Sequence, residues 1–381
     1  MKMIPVLLGW YLYTFTQSKF ILGMLGLSEV IPAILMALPA GVKVDRSDRH
    51  NLIIKCLGLY LMISIVLVFL VSDAVHLINE WRTGLIFLAV GITGLIRAYI
   101  SPGFSAFLAQ LVAKDNLVKA ASINSMAWLS ASILGAILAG WLVVFLTESQ
   151  VFVVISCIMF MSMIVFTKIS PKEIAYQQGK TRTWESVREG LDFVWGQKAL
   201  FGAMGLDMLA VLFGGAVALL PVFVQDVLHA GPQAFGYLSS ATYLGNFIAI
   251  LYLTKFPLQG KQGSKLIWSI IGFGACIIVF ALSKSVILSF VALFVSGLFD
   301  GVSVIVRGTI FQIFVPDHMR GRVSAVNSIF INSSNELGQF ESGVAASLMG
   351  TIPSVIFGGT MTILVSAFAW FKIPSLKKLE Y

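Results

Sequence analysis

Gly41-Val42-Lys43-Val44-Asp45-Arg46-Ser47-Asp48-Arg49-His50 is a dense polar stretch held between two long apolar runs. The run before it, Phe20 to Ala40, carries a single charge, Glu29; the run after it, Asn51 to Val71, carries only Lys55. Each is about as long as the roughly 20 residues an α-helix needs to cross a hydrocarbon core. A charged break between two such runs reads as a turn at a membrane face. The same alternation of apolar run and short polar break continues along the chain.

Composition agrees. Apolar residues make up 58% of the 381 and charged residues 12%, against roughly 25% charged in a soluble domain, so a polytopic membrane protein is expected. The 34 glycines and 11 prolines, many inside the runs, suit membrane helices, whose neighbours re-satisfy freed backbone groups. A porin-like barrel needs segments of about ten residues alternating apolar and polar, and these runs do not alternate. Cys56, Cys157 and Cys276 lie in or beside apolar runs without paired spacing, and His50, His76, His229 and His318 are scattered. No disulfide framework, metal site, cofactor or enzymatic motif is expected. The net charge of +8 is spread over short loops, which favours membrane lipids over nucleic acid as a partner.

Runs and punctuation place spans near 4–17, 20–41, 52–72, 83–110, 119–145, 150–168, 198–225, 235–255, 265–283, 286–313, 322–347 and 350–371. An even number puts both termini on one side. On that side lie Lys43, Arg46, Arg49, Lys55, Lys114, Lys119 and most later bases, whereas the opposite loops hold only Lys19, Arg82 and Lys284. The positive-inside rule then expects the termini and the 41–50 loop in the cytoplasm. The longest polar segment, 169–197, divides the chain into a six-helix bundle, 1–168, and a second bundle with a short tail, 198–381. Within the connector Trp184, Val187, Leu191 and Val194 or Trp195 share one helical stripe, consistent with a helix on the membrane surface; a plain linker fits as well. The first span, Ile4 to Thr16, is 13 residues, about 20 Å of helix and short for a crossing. A broken or shifted helix and a reading frame begun further upstream both account for it. A signal peptide does not, because no small-residue cleavage site precedes the next run.

Shifting the chain by 203 residues aligns its halves. Gly94 falls on Gly297, Val112 on Val315, Lys119 on Arg322, Ile123-Asn124-Ser125 on Val326-Asn327-Ser328, Ser130 on Ser333, Leu134-Gly135 on Leu337-Gly338 and Gly140 on Gly343. Two six-helix halves repeated in parallel imply a pseudo-twofold axis along the membrane normal. Gly135, Gly140, Gly338 and Gly343 are expected at close helix crossings.

With these features the chain resembles the major facilitator superfamily. The 41–50 loop looks like that family's signature between spans two and three, Gly-x-x-x-Asp-Arg-x-Gly/Asp-Arg-Arg/Lys: Gly41, Asp45, Arg46 and Arg49 match, Asp48 is a variant, His50 replaces the usual base, and Lys43 stands where an apolar residue is common. Leu22–Leu27, Pro39–Gly41 and Leu117–Ser125 resemble the bacterial branch of enterobactin exporters and macrolide or multidrug efflux proteins. The resemblance implies an all-α, twelve-helix fold in two halves, in the bacterial inner membrane, working as a monomer. It also makes the 41–50 loop a conformational latch, with Gly41 permitting close packing, Asp45 accepting from a neighbouring helix end, and Arg46 and Arg49 bridging carboxylates or lipid headgroups. Bases that merely set topology are the simpler account.

Glu29, Arg97, Asp207, Asp300, Arg307, Glu336 and Glu341 lie within or near the ends of apolar runs. A charge at the centre of a membrane helix costs at least about 2.5 kcal/mol, so these residues are expected to face the bundle interior, a wet cavity or a partner. Arg97 resembles the span-four arginine of proton-coupled antiporters, which implies substrate or proton coupling; a structural hydrogen-bond hub is the alternative. Asp300 and Arg307, seven apart, share a face but are about 10.5 Å apart along the axis, which favours a solvated stripe over a direct pair. Glu29 and Asp207 are candidate proton carriers, and Glu336 and Glu341, five apart, point in different directions. Tyr11, Tyr13, Phe15, Tyr99, Trp128 and Tyr243 are available to line a cavity for an amphipathic ligand.

The resulting expectation is secondary active, proton-coupled export of an amphipathic small molecule by alternating access. No phosphate-binding loop is present to use ATP. Uptake or sodium coupling in the same fold, and a scaffold or sensor without turnover, are the alternatives.

Overall fold

In the computed structural model, residues 2–72, 78–113, 116–169, 183–316, 319–377 and 379–380 are described. Six helices come first: α1 (Met3–Thr16), α2 (Lys19–Arg46), α3 (Arg49–Val71), α4 (Asn79–Leu111), α5 (Leu117–Phe145) and α6 (Glu148–Thr167). A connector helix follows, α7 (Thr183–Gly196), and then α8 (Lys198–Phe213), the short α9 (Leu220–Val222), α10 (Pro232–Lys255), α11 (Gln262–Leu282), α12 (Val286–Phe314), α13 (Arg320–Met349), α14 (Thr351–Lys372) and a final turn, α15 (Pro374–Lys377). Ten helical stretches among the described residues are long and apolar enough to cross a membrane. Two more complete a twelve-helix bundle: α1, with 14 residues, and α13, with 30, whose length is interrupted by Arg322, Asn327, Asn335, Glu336 and Glu341.

Two expected boundaries move, each for a local reason. The 41–50 loop shrinks to Ser47 and Asp48, because α2 continues as helix through Arg46 and α3 begins at Arg49. Asp48 starts α3 as its N-cap: its Oδ1 accepts from the backbone N–H of His50 at 3.0 Å and of Asn51 at 3.3 Å, and its Oδ2 from Asn51 Nδ2 at 2.7 Å. The single span expected over 198–225 is broken after Phe213, where Gly214 and Gly215 lead into a 3-10 turn (Ala216–Leu219), α9 and a π turn (Phe223–Val227). A Cβ on Gly215 would lie 2.9 Å from the carbonyl oxygen of Gly338, so α13 packs closely against the break.

The internal repeat is visible as packing. α2 runs along α4 and α13, while its repeat partner α10 runs along α12 and α5. At the repeat-matched Gly94 and Gly297, an added Cβ would overlap the carbonyl oxygen of Glu29 on α2 and of Thr242 on α10 respectively. At the matched Gly140 and Gly343, it would strike the backbone of Gly236 on α10 and of Gly23 on α2. Glycine pairs thus let backbones meet at both crossings between the halves. Gly135 departs from the expectation, since its nearest neighbours, Lys2 and Met3, stand at an ordinary 3.4 Å.

Contacts between the halves gather at the end where α1 turns into α2. Trp10 stacks on Phe235 at 5.3 Å, Trp141 Nε1 donates to Tyr237 Oη at 2.9 Å, Gln225 Nε2 donates to Thr14 Oγ1 at 2.8 Å, and Tyr13 Oη donates to the Asp226 carboxylate. Toward the other end, Gly41, Gly308 and Gly321 have nothing within 4 Å of an added Cβ. The expectation that Gly41 serves a close approach is therefore not met in this conformation, because none of the described residues comes within 4 Å of its added Cβ.

Candidate substrate and coupling site

Gly94 positions the first cluster. With no side chain there, α4 settles against the α2 backbone at Glu29, and one helical turn later Arg97 reaches the Glu29 carboxylate, Nη1 to Oε1 at 2.7 Å. The same Nη1 donates to Glu336 Oε1 at 2.5 Å. Glu336 arrives from the second half, on α13, which comes close because a Cβ on Gly26 of α2 would lie 2.7 Å from the Glu336 carbonyl oxygen. One guanidinium therefore holds two carboxylates, one from each half. Side-chain exposure falls from 30% at Arg97 to 22% at Glu29 and 7% at Glu336, and Glu336 Oε2 is buried without a hydrogen-bond partner. Glu341 lies elsewhere, accepting from Ser342 Oγ at 3.4 Å.

Aromatic groups approach the cluster at mid-bundle. Trp128 on α5 meets Tyr243 on α10 edge-to-face at 6.0 Å, and Lys2 Nζ sits 3.9 Å over the Trp128 ring. Tyr11, Phe15 and Tyr13 do not join them. Tyr13 belongs to the seal between halves, while Tyr11 Oη accepts from Arg82 Nη1 at 3.3 Å and Phe15 receives that guanidinium at 5.2 Å. Arg82, expected in a loop, is a buried residue of α4. Its place at the edge of an apolar run hides it, since such a base ordinarily marks a membrane face.

A second cluster lies within the second half. Arg307 on α12 pairs with Asp207 on α8, Nη1 to Oδ2 at 2.6 Å, and its Nε donates to Ser303 Oγ at 3.2 Å. Asp300, two helical turns before Arg307, instead accepts from Asn246 Nδ2 of α10 at 2.5 Å. The two α12 charges thus take different partners. Of the expected solvated stripe, Arg307 is corrected: its side chain is only 14% exposed and it turns toward Asp207 of α8, 8% exposed, while Asp300 remains partly exposed. A cavity of about 20 Å³ lies there, lined by Asp207, Ser269, Phe273, Asp300 and Ser303 among others, roughly the room one water needs.

At the α2–α3 turn, Arg49 Nη1 donates to the Ala106 carbonyl at 3.3 Å and His50 Nε2 hydrogen bonds the Phe166 carbonyl at 3.2 Å, its ring stacked on Phe166. The turn is thereby tied to α4 and α6, and Arg49 meets a carbonyl where a carboxylate or lipid was expected. The backbone of Asp45 and Arg46 belongs to α2; their side chains, like those of Trp184 and Val187 on α7, lie outside the described residues.

Twelve helices in two repeated halves, with charged side chains meeting at mid-bundle, define a multi-pass membrane transporter and not an enzyme. The chain belongs to the major facilitator superfamily: the family model described as "Transmembrane secretion effector" matches residues 2–380. It is similar to the staphyloferrin A transporter of Staphylococcus aureus, 22% identical over 98% of this chain and 93% of that one. It is likewise similar to the enterobactin exporter EntS of Escherichia coli, 21% identical over 89% of this chain and 80% of that one. Among solved structures it shares its fold with a bacterial homologue of the human lysosomal transporter Spinster in an inward-facing, unoccupied conformation, with a TM-score of 0.79 and 14% identity over 100% of this chain and 94% of that one.

Proposed function

We propose that this chain is a proton-coupled exporter of an amphipathic small molecule of drug, macrolide or siderophore type, acting by alternating access. The observation that carries the reading is the Arg97 junction, where one guanidinium holds Glu29 of its own half and Glu336 of the other. Rocking the halves apart at mid-bundle exchanges that second pair, so whatever neutralises Glu336 or competes for Arg97 biases the equilibrium. Two relatives are named for siderophores, staphyloferrin A and enterobactin, the latter as an exporter, and the Trp128–Tyr243 pair offers ring faces beside the charges.

In this reading, 1–168 and 198–381 are the rocking halves and 169–197 their connector. Both termini and the α2–α3 turn lie in the cytoplasm of a bacterial cell in this reading, which the distribution of bases supports. The seal around Tyr13 and Asp226 then faces outward and the protein rests open to the cytoplasm, working as a monomer. The 41–50 stretch, with Gly41, Asp45, Arg46, Asp48 and Arg49, closes the cytoplasmic side in the alternate state. Proteoliposome flux tests this across a panel of siderophores, macrolides and dyes, with pH and sodium gradients imposed separately. Substrate is expected to accumulate in the acidic compartment, and Arg97→Ala is expected to abolish this while leaving folded protein in the membrane. Flux driven by sodium alone, or near-normal proton-driven flux in Arg97→Ala, would overturn the proposal.

A further inference from the structure

The second cluster carries a charge imbalance that the Arg97 junction does not explain. Asp207 and Asp300 line one small cavity, and the guanidinium of Arg307, outside its lining, pairs with Asp207. Asp300 is held by the neutral amide of Asn246. Around Asp300 the titratable and charged groups are Asp207 on α8, Tyr243 on α10 and Arg307 on its own helix, with Glu336 on α13 also within electrostatic reach of Tyr243; α11 contributes the uncharged Ser269. With both carboxylates ionised, Asp207, Asp300 and Arg307 together carry one excess negative charge inside the second half. One proton neutralises them.

Asn246 supplies the independent observation. Its side chain is 9% exposed and its Oδ1 is buried with no hydrogen-bond partner, while its Nδ2 donates to Asp300 Oδ2. An amide has a donor on one arm and an acceptor on the other. Turned as it stands, it satisfies an ionised Asp300; turned over, its Oδ1 accepts from the hydroxyl of a protonated Asp300. The unpartnered Oδ1 is thus free to exchange places with Nδ2, which lets Asn246 bond Asp300 in either protonation state. Ser303, which accepts from Arg307 Nε, holds the guanidinium beside Asp207, and the cavity admits a water to bring the proton. Under the 203-residue repeat Asp300 falls on Arg97, so the two halves carry opposite charges at one structural position.

We propose that Asp300 is the group that binds and releases the transported proton, with Asn246 a positioning residue that bonds it in both protonation states. The proposal rests on the proton-coupled reading above and deepens it. On protonation the Asp300 carboxylate gains one proton that comes from the bulk solution and is relayed through the cavity water, which is left as water; the Asn246 amide turns and the cluster becomes neutral, and release returns the proton to solution by the reverse steps.

The test is infrared spectroscopy of the full-length, reconstituted protein without substrate, titrated from alkaline to acidic pH. A carboxylic-acid carbonyl band is expected to grow on acidification, to shift when aspartate is carboxyl-labelled with carbon-13, and to stay put when glutamate is labelled. It is expected to vanish in Asp300→Asn, persist in Asp207→Asn, and move in frequency in Asn246→Ser, where the amide partner is lost. Labelling uses the unaltered protein, so the assignment remains testable where a variant fails to fold. A band that follows the glutamate label, survives Asp300→Asn, ignores Asn246→Ser, or never titrates overturns the proposal. Because no substrate or gradient is used, such a failure leaves the export reading to the flux assay, and a failed flux assay leaves the titration result standing.

Discussion

Gly343→Ala tests whether the glycine crossing holds the two halves in this conformation. An added Cβ would stand 2.5 Å from Gly23 Cα and 2.7 Å from Gly23 N. Both are backbone atoms, so no side chain can swing aside. Restoring ordinary contact, which begins at 3.4 Å, requires α13 and α2 to separate by about 0.9 Å at the sealed end. Overpacking of this kind costs about 1–3 kcal/mol, here charged to the sealed state alone, which corresponds to a population shift of about 5- to 150-fold. Spin labels at exposed Gln17 and His229 report the sealed end, and labels at exposed Lys43 and Lys255 the other, with Cys56, Cys157 and Cys276 replaced. Double electron–electron resonance is expected to show the Gln17–His229 distance lengthening and the Lys43–Lys255 distance shortening in Gly343→Ala. Gly84→Ala is the control, since nothing lies within 4 Å of its added Cβ. Unchanged distributions in Gly343→Ala, or equal changes in both variants, would refute the argument.

Two further predictions concern stability. Arg307→Met strands the buried Asp207 carboxylate and is expected to cost about 3–5 kcal/mol, while adding Asp207→Asn recovers most of it; thermal unfolding in detergent decides, and a double variant no more stable than the single one contradicts the pairing. Asp48→Ala removes the α3 cap and is expected to cost about 1 kcal/mol, with Asp48→Asn close to the unaltered protein; equal melting of all three would show that the cap contributes nothing.

The spans were legible because the bilayer demands long apolar runs, and the repeat because its glycines are needed at backbone contacts that no other residue permits. Glu29, Arg97 and Glu336 were each visible as charges too costly to face lipid. Their meeting was not, since Arg97 finds partners 68 and 239 positions away and helical direction alone does not choose neighbours. Asn246 and His50 escaped notice for another reason: a neutral amide in an apolar run incurs no charge penalty, and a histidine at a family position reads as a substitution and not as an anchor to Phe166. The broken seventh span was signalled by Gly214-Gly215, but a glycine pair does not say whether a membrane helix will bend or stop.

The double pairing of Arg97 bears on how cheaply the protein can switch. Were Arg97 bonded to Glu336 alone, parting the halves would leave a buried, unpaired guanidinium, a penalty of about 3–5 kcal/mol. Glu29 sits with Arg97 inside the first half, where Gly94 packs α4 against the α2 backbone at Glu29, so a rigid-body parting of the halves leaves that pair intact. Separation then forfeits one charge-assisted hydrogen bond, about 1.5–3 kcal/mol, and the uncompensated group becomes Glu336. Tyr243 is within electrostatic reach of both that carboxylate and Asp300, which sets the two clusters beside one ring. That shared neighbour is the ground for testing a charge coupling between them. With such a coupling, Asp300→Asn should shift the Lys43–Lys255 distance distribution at alkaline pH toward that of the unaltered protein at acidic pH, and a variant that stays pH-sensitive in that distance would break the link.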